Sequence, residues 1–360
     1  MKFLNLILAA LLLNLLPVNQ LPAQVLKAPL DSLLHAAFPD TSGPGGVFLV
    51  AKNGIPVYQI AIGKGNLELN INLTTESVFQ LGSMTKQFTA IAILMLDEQG
   101  KLKVADPVTK YIPGYPAGDS ITLHHLLTHT SGIKDFTKMK GIGDIAQKEM
   151  TPKMMVDFFK NEPADFKPGE KFEYNNSGYV LLGYIIELVS GETYENFIEQ
   201  YIFKKAGMTS SCYASDRQLI RNRADGYHKK EQGYVNKTVI SYSVPFSSGA
   251  LMSTTEDMLK WQNALNQNLL LEAETSNKAF RKYVLNNAQE ITYGYGWHIK
   301  EINGRPDREH GGSIFGFKSM GVYFPEEDIY VIGLSNCDCN SPTQLVRDMA
   351  AISLKLLKKP

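Results

Sequence analysis

The sequence predicts an α/β protein of the α+β type, in which strands from both ends of the chain form one sheet and helices fill the interval between them. Strand patterns occur at residues 47–62 and again between 293 and 335. Two helix patterns between them are apolar on nearly every face. Because a sheet built from both ends leaves the intervening helices to one side, we expect a sheet-bearing lobe of about residues 24–103 and 286–360 and a helical lobe of about 104–285.

The first predicted elements are a β-hairpin and a buried helix. In the hairpin, residues 47–62, two apolar stretches flank Asn53-Gly54, a pair that readily adopts the positive φ of a tight turn. The helix extends from Lys86 to Leu96 and is apolar almost all round, which is typical of a helix in the middle of a protein. Gly100 is a suitable residue to end it.

The remaining elements alternate less regularly. A second buried helix is predicted at 178–189, and amphipathic helices are predicted at 193–205 and 255–267. The chain then returns to strands. We expect these at Tyr293 to Lys300, Ser313 to Phe324 and Ile329 to Ser335, with a last helix from about Pro342 to Leu357.

The composition excludes several classes of protein. Lys and Arg total 36, as do Asp and Glu, so the formal net charge is zero and no chain-wide field attracts nucleic acid. A hydrophobic content of 44% excludes an intrinsically disordered chain. The three cysteines are too few for a disulfide framework, and we interpret Cys337 and Cys339 as loop thiols.

Metal and cofactor motifs are equally weak. His124, His125 and His129 lack a carboxylate or thiolate at ligand spacing. No P-loop, no His-Glu-x-x-His and no Gly-x-Ser-x-Gly elbow occurs in the sequence. We therefore expect neither a metal nor a cofactor, and the expected partner is a small-molecule or peptide substrate.

The N-terminus resembles a secretory signal. Lys2 precedes an apolar run that ends at Val18, and Ala23 is a small residue at a plausible cleavage point. A membrane anchor is the rival interpretation, but the run is shorter than the ~20 residues that a spanning helix needs. We expect residues 1–23 to be removed and residues 24–360 to be exported, to a periplasm or out of the cell, without a transmembrane segment.

Ser83 and Lys86 are the first candidates for chemistry. Residues three apart share a helix face, so the Lys86 amine can lie against the Ser83 hydroxyl. Burial lowers the pKa of a lysine and lets it accept the serine proton. At the start of a helix, the N–H of Ser83 is also free to bind a developing oxyanion. The alternative is an ordinary N-capping serine followed by a surface lysine.

Two further motifs carry polar groups. In Tyr174-Asn175-Asn176 the Tyr174 phenol can relay a proton, and Asn176 can hold Lys86 and donate to a substrate amide oxygen. The alternative there is an aromatic core residue followed by a helix cap. In the third motif, His310-Gly311-Gly312-Ser313, two glycines at a strand start allow another backbone to approach, and the Ser313 N–H is a second oxyanion donor. The alternative for this motif is a Gly-rich turn that carries a histidine.

Together, in this order, the three motifs resemble the serine β-lactamase and penicillin-binding protein superfamily. Tyr-x-Asn in the second motif is similar to the branch of class C β-lactamases, D-Ala-D-Ala carboxypeptidases and related esterases and D-aminopeptidases. The resemblance covers roughly residues 30–355. Further segments that carry it are Phe79 to Thr89, Leu126 to Gly132 and Tyr293 to Trp297.

The resemblance implies an antiparallel sheet flanked by helices, with an all-helical lobe beside it. It implies a serine hydrolase that works through an acyl-enzyme on amide or ester bonds, without metal or cofactor. In that scheme Ser83 attacks, and Lys86 and Tyr174 share the base and acid roles. The amides of Ser83 and Ser313 stabilise the oxyanion.

One departure bears on the substrate. Class C β-lactamases carry Lys-Thr-Gly where this chain has His310-Gly311-Gly312, so we expect His310 to bind a substrate carboxylate in a pH-dependent manner. This favours a carboxypeptidase, aminopeptidase or esterase over a dedicated β-lactamase. The alternative function is a catalytically weak or silent penicillin-binding or sensor protein. The presence of Ser83, Lys86 and Tyr174 together favours the enzyme.

Overall fold

A computed structural model of the chain describes residues 20–215 and 217–357, with side chains from residue 23 onward. Most of the predicted leader, residues 1–19, lies outside this part, and the predicted cleavage point after Ala23 falls in the first turn of a helix that begins at Gln20. Within the described residues, no helix combines the length and apolar character needed to cross a membrane.

The strands occupy both ends of the described chain, with short strands between them. In chain order they are β1 (Gly46–Lys52), β2 (Ile55–Ile62), β3 (Lys64–Asn66), β4 (Ile71–Asn72), β5 (Phe79–Gln80), β6 (Cys212–Tyr213), β7 (Tyr227–Lys230), β8 (Gly233–Asn236), β9 (Leu251–Ser253), β10 (Tyr283–Val284), β11 (Glu290–Ile291), β12 (His298–Ile302), β13 (Arg305–Ile314), β14 (Phe317–Phe324) and β15 (Ile329–Ser335).

The main sheet confirms the predicted fold class. It is antiparallel throughout, with the order β12-β13-β14-β15-β1-β2 in the described residues. β1 pairs with β15 from Gly46 opposite Ser335 onward, so the two ends of the chain meet at its centre. The predicted hairpin is present, with Asn53 and Gly54 both at positive φ. The smaller sheets pair β3 with β4, β7 with β8, β10 with β11, and β9 with both β5 and β6.

The predicted bounds of two strands are wrong. The expected strand from Ser313 to Phe324 is the end of β13 and the whole of β14, separated by a turn at Phe315-Gly316. Apolar residues continue through this turn, so the pattern alone does not mark the break. The expected strand from Tyr293 begins only at His298, and the polar first half of β13 was missed.

The helices lie mostly between the two groups of strands. They are α1 (Gln20–Ala37), α2 (Thr85–Glu98), α3 (Leu123–Leu127), α4 (Ile142–Ile145), α5 (Pro152–Phe159), α6 (Asn176–Ser190), α7 (Tyr194–Ile198), α8 (Lys204–Ala206), α9 (Phe246–Gly249), α10 (Thr255–Asn266), α11 (Ala273–Asn277) and α12 (Thr343–Leu356). Single 3₁₀ turns occur at Gly82–Met84, Val108–Lys110, Phe136–Lys138 and Lys278–Phe280, and a π-helical turn, Glu199–Phe203, joins α7 to α8.

The sheet separates two parts of the core. Alternate residues of β1 point to opposite faces, so Val47 and Leu49 belong to one apolar cluster while Phe48 and Val50 belong to the other. The first cluster contains α2, all of whose residues except Glu98 are buried, as the apolar pattern predicts. The second lies beneath α1 and α12. α2 is thus enclosed between the sheet and the helical segments.

Helices α6 and α9 approach each other closely, which brings Asn176 and Ser248 to the same side chain, Lys86. Gly183 of α6 lies so near α9 that a Cβ atom built on it would be 2.0 Å from Ser247 Oγ and 2.3 Å from Ser247 Cβ. The Ser247 hydroxyl donates to the carbonyl of Tyr179 over 2.8 Å. The missing side chain at 183 therefore lets α9 lie directly against α6.

We predict that Gly183→Ala destabilises the protein by about 1–3 kcal/mol, because the new methyl group pushes the two helices apart. Gly178→Ala, in the same helix, is the matched control, since its Cβ would meet its nearest neighbour at an ordinary 3.4 Å. Alanine is favoured over glycine in a helix by about 1 kcal/mol, so the control should be neutral or stabilising. Thermal unfolding followed by circular dichroism measures both, and equal melting temperatures would contradict the close-packing argument.

Candidate active site

The candidate nucleophile lies at the turn that leads into α2. Ser83 is half-buried in the 3₁₀ turn Gly82–Met84. Gly82 has a φ of +54°, and a Cβ on it would lie 2.8 Å from the backbone nitrogen of Ser313. Glycine is needed there both for its backbone conformation and for this approach. The turn therefore holds Ser83 directly beside β13.

Lys86, the second residue of α2, is completely buried and contacts the candidate nucleophile. Its Nζ lies 3.2 Å from Ser83 Oγ, 2.8 Å from Asn176 Oδ1 and 2.9 Å from the carbonyl oxygen of Ser248. Burial lowers the pKa of the Lys86 amine to about 7, against a smaller opposing effect of the carboxylate of Asp135.

An ammonium ion can donate to all three oxygens, and the lowered pKa of Lys86 also makes the neutral amine accessible near pH 7. A neutral lysine has two N–H donors and one lone pair. The Asn176 oxygen and the Ser248 carbonyl can only accept, so they take the two N–H groups. The lone pair is then left for the hydroxyl hydrogen of Ser83. This arrangement can remove the serine proton, as the spacing of the two residues predicts.

Asp135 is a member of this centre that the sequence analysis missed. Its carboxylate is 4% exposed and accepts from Asn176 Nδ2 over 3.1 Å. Asn176, at the start of α6, thus connects Lys86 to a buried negative charge. The position of Asp135 just before a 3₁₀ turn carries no catalytic signature, so only the folded chain brings it into view.

The aromatic ring of Tyr174 packs beside the Lys86 amine. The Lys86 Nζ is 4.9 Å from the centre of this ring, and the buried hydroxyl makes no hydrogen bond within the described residues. Burial raises the pKa of this phenol, and the nearby Ser83 hydroxyl offsets only part of the rise. The Tyr174 phenol is therefore neutral near pH 7.

His129, also missed as part of the site, supports the Tyr174 ring. The two ring centres are 4.3 Å apart. Nδ1 of His129 accepts from the backbone N–H of Asn175 over 3.1 Å, and burial lowers the pKa of the imidazole well below its usual value. The neighbouring histidines are used differently, since His124 contacts the Tyr295 hydroxyl and His125 closes the capping box of α3.

His310 does not lie where the sequence analysis expected it. Its side chain is 2% exposed and is enclosed behind Tyr174 and Tyr293 rather than lining the cleft. Nδ1 donates to the carbonyl of Gly311 over 2.6 Å, and Nε2 is 3.0 Å from the Tyr293 hydroxyl. Burial lowers the pKa of His310 well below its usual value. A buried neutral imidazole with both nitrogens engaged cannot pair with a carboxylate in the cleft, so the anchor interpretation is wrong.

The rest of the third motif does lie at the site. A Cβ on Gly312 would be 1.9 Å from the carbonyl oxygen of Leu81, so this glycine permits contact between β13 and the segment before Ser83. Ser313 opposes Lys318 one pair away from the turn that closes the β13–β14 hairpin. Hydrogen-bonded and non-hydrogen-bonded pairs alternate along such a ladder. The pair that closes the hairpin, Ile314 and Phe317, is the hydrogen-bonded kind. The next pair, Ser313 and Lys318, is then not hydrogen-bonded, so the Ser313 N–H faces away from β14.

A cleft of about 520 Å³ opens in front of Ser83, with Ser313, Tyr174 and Asn176 among its lining residues. Among the described residues, two charged side chains lie in its wall. Lys318 Nζ donates to the Ser313 hydroxyl over 2.7 Å, and Asp338 contacts His228 Nδ1. Most of the remaining wall is apolar and consists of Phe136, Ile142, Ile240, Val244, Pro245, Ile314 and Phe315.

Asp338 is held at the cleft by an unexpected covalent link. Cys337 and Cys339, interpreted from the sequence as loop thiols, form a disulfide across it. Two cysteines separated by one residue can reach each other only when the loop bends sharply, which the spacing alone does not show. Cys212 is the one free cysteine in the described part of the chain.

Comparison with known proteins places these features in a family. The sequence model of the Beta-lactamase family matches residues 27–354. Penicillin-binding protein 4* of Bacillus subtilis is 32% identical over an alignment of 313 residues, and the match covers 81% of this chain and 68% of that protein.

Solved structures agree with the sequence relatives. A penicillin-binding protein homologue from Pyrococcus abyssi is 31% identical, with a TM-score of 0.79 over 92% of this chain and 78% of that chain. A D-stereospecific amidohydrolase from a Streptomyces species is 25% identical, with a TM-score of 0.75 over 90% of this chain and 98% of that one. With the family model matched over most of its length, the chain belongs to the β-lactamase family and is a serine hydrolase of that family.

Proposed function

We propose that this protein hydrolyses amide or ester bonds of small acyl or D-amino-acid substrates through an acyl-enzyme on Ser83. The single observation that carries the proposal is the buried Lys86 amine in contact with Ser83, because once it is neutral its contacts with Asn176 and Ser248 leave the lone pair for the Ser83 proton. A silent binding protein has no need of an uncharged lysine in this position, since burying an amine without use is costly.

In the first step the Ser83 oxygen attacks the substrate carbonyl carbon and its proton passes to Lys86 Nζ. The carbonyl oxygen becomes an oxyanion, and the N–H groups of Ser83 and Ser313 stabilise it. The tetrahedral intermediate then collapses. The bond to the leaving amine or alcohol breaks, the leaving group takes up the proton from Lys86, and an ester to Ser83 remains.

Tyr174 is the proposed relay for that proton. Its ring lines the cleft with its centre 4.9 Å from Lys86 Nζ, and its neutral hydroxyl makes no hydrogen bond among the described residues. It can give its hydrogen to the leaving group while accepting one from the Lys86 ammonium, with no net change in its own charge. Water then attacks the ester by the reverse sequence, which frees the acid and restores Ser83 and neutral Lys86.

The cleft indicates the substrate class. Its apolar wall suits an aliphatic or aromatic side chain, and its volume suits a substrate the size of one or two amino acids. Similarity to a D-stereospecific amidohydrolase and to penicillin-binding proteins supports D-amino-acid amides and peptides. Lys318 takes over the carboxylate-binding role first assigned to His310, since it is the one cation that lines the cleft in the described part of the chain. We place such peptides and simple esters ahead of β-lactams as substrates.

We predict that a fluorophosphonate probe labels one residue, Ser83, and that Ser83→Ala abolishes labelling, because this variant lacks the oxygen that displaces fluoride. Intact mass and a tryptic digest locate the adduct. Ser313→Ala is the control, since it loses a hydroxyl in the same cleft but keeps the backbone N–H. It should still be labelled. Labelling that survives in Ser83→Ala would refute the proposed nucleophile.

We predict an acid limb near pH 7 in the pH profile of kcat/KM for a neutral ester such as p-nitrophenyl acetate. Lys86, with its pKa lowered to about 7, is protonated below that pH and cannot accept the serine proton. Activity should rise to a plateau above it. Lys86→Gln should lose at least about 10³-fold and show no such limb. A rate that stays constant down to pH 5 would exclude Lys86 as the base.

We predict that Lys318→Gln raises KM for a D-Ala-terminated peptide by roughly three- to tenfold, because a partly exposed cation contributes modestly to binding a carboxylate. Lys318→Arg keeps the charge and should stay near the wild-type KM. p-Nitrophenyl acetate has no carboxylate and should be unaffected by either change. If Lys318→Gln raised KM equally for the peptide and the ester, Lys318 would not bind the substrate carboxylate.

A further inference from the structure

The carboxylate of Asp135 is held in one orientation by its own turn. Oδ1 accepts from the backbone N–H of Thr137 over 3.0 Å and from the Thr137 hydroxyl over 2.8 Å. Oδ2 is left to face Asn176, accepting from its backbone N–H at 3.3 Å and from Nδ2 at 3.1 Å. The carboxylate is buried, so water does not compete for these contacts.

This carboxylate determines which end of the Asn176 amide faces Lys86. An ionised carboxylate can only accept, so it must receive the NH₂ end of the amide. The oxygen end then turns to Lys86, and the 2.8 Å contact between Oδ1 and Nζ follows. With the amide turned over, its NH₂ group would donate to the lone pair of neutral Lys86, and that lone pair would no longer be free for Ser83.

We propose that Asp135 is a positioning residue for catalysis, which fixes the Asn176 amide so that the lone pair of Lys86 remains available to Ser83. The role rests on the proposed acyl-enzyme function. Asp135 lies behind Asn176, which separates it from Lys86, and it does not line the cleft, so it acts through its neighbour and not on the substrate.

Asp135 is also the charged group that acts on Lys86. The other titratable groups around this amine, in the described residues, are Tyr174, Tyr179, His129 and His310. Burial raises the pKa of both phenols and lowers the pKa of both imidazoles, so all four are neutral near pH 7. Asp135 alone raises the pKa of Lys86, against the larger effect of burial. Removing its charge must therefore lower the pKa of Lys86.

The test is the pH profile of fluorophosphonate labelling in Asp135→Asn. We expect labelling to be about 10- to 100-fold slower, as is typical when a group that orients a catalytic residue is lost. We also expect the acid limb to move to lower pH, because Lys86 loses its neighbouring negative charge. A purely structural role predicts instead a lowered melting temperature, with the remaining folded protein labelled at the wild-type plateau rate.

Two variants keep the test decisive. Asp135→Glu retains the charge but displaces it, so the limb should stay at the wild-type pH while the rate falls. Asp165→Asn is the matched control, since Asp165 pairs with Lys134 over 2.7 Å at the surface. It should change neither rate nor limb.

The proposal is overturned if Asp135→Asn labels at the wild-type rate, or labels slowly with its limb unmoved. If Asp135→Asn does not fold, Asp135→Glu decides the matter, and labelling of that variant at the wild-type rate overturns the role. A wild-type protein that is not labelled at all would refute the acyl-enzyme function itself, which is a separate result.

Discussion

The removal of one amine from water is the constraint on which the rest of the structure depends. Lys86 can serve as a base only where burial makes its charged form unfavourable, and this requires surroundings that are mostly apolar and exclude water. The nearly uniform apolar character of α2 supplies them. The polar groups that remain near Nζ are few, and each has a defined direction. Helix α6, helix α9 and the 3₁₀ turn that carries Ser83 each contribute one contact to this atom.

The same constraint has a cost in stability. A pKa lowered from 10.5 to about 7 corresponds to a difference on the order of 5 kcal/mol between the protonation states. The unfolded chain keeps a proton on this lysine up to its ordinary pKa, whereas the folded chain releases it near pH 7. The penalty is therefore fully present below pH 7 and declines as the pH rises from 7 towards 10.5. The negative charge of Asp135 reduces it without abolishing it.

The sequence pointed to the side chains that the structure brings together but not to their environment. Ser83, Lys86 and Tyr174 stand in short motifs whose spacing carries meaning, and the alternation of strands and helices was enough for the fold class. Ser248 could not be found, because it contributes a backbone carbonyl that any residue would supply. His310 was misassigned because a motif does not tell which face of a strand a side chain occupies. Lys318 emerged only from the folded structure, where the pairing of β13 with β14 sets it beside Ser313 in the wall of the cleft.

The pairing of β1 with β15 has a consequence for how the protein reaches its active form. The contacts that build the site join segments far apart along the chain, with Lys86 reaching Asn176 and Ser248 across 90 and 162 residues. Such long-range closure slows folding, because much chain entropy is lost before the contacts reward it. The Ser313 amide is placed only once the C-terminal strands dock on β1. The second oxyanion donor is therefore one of the last parts of the site to be placed, after the turn and helix that carry Ser83 and Lys86 have formed.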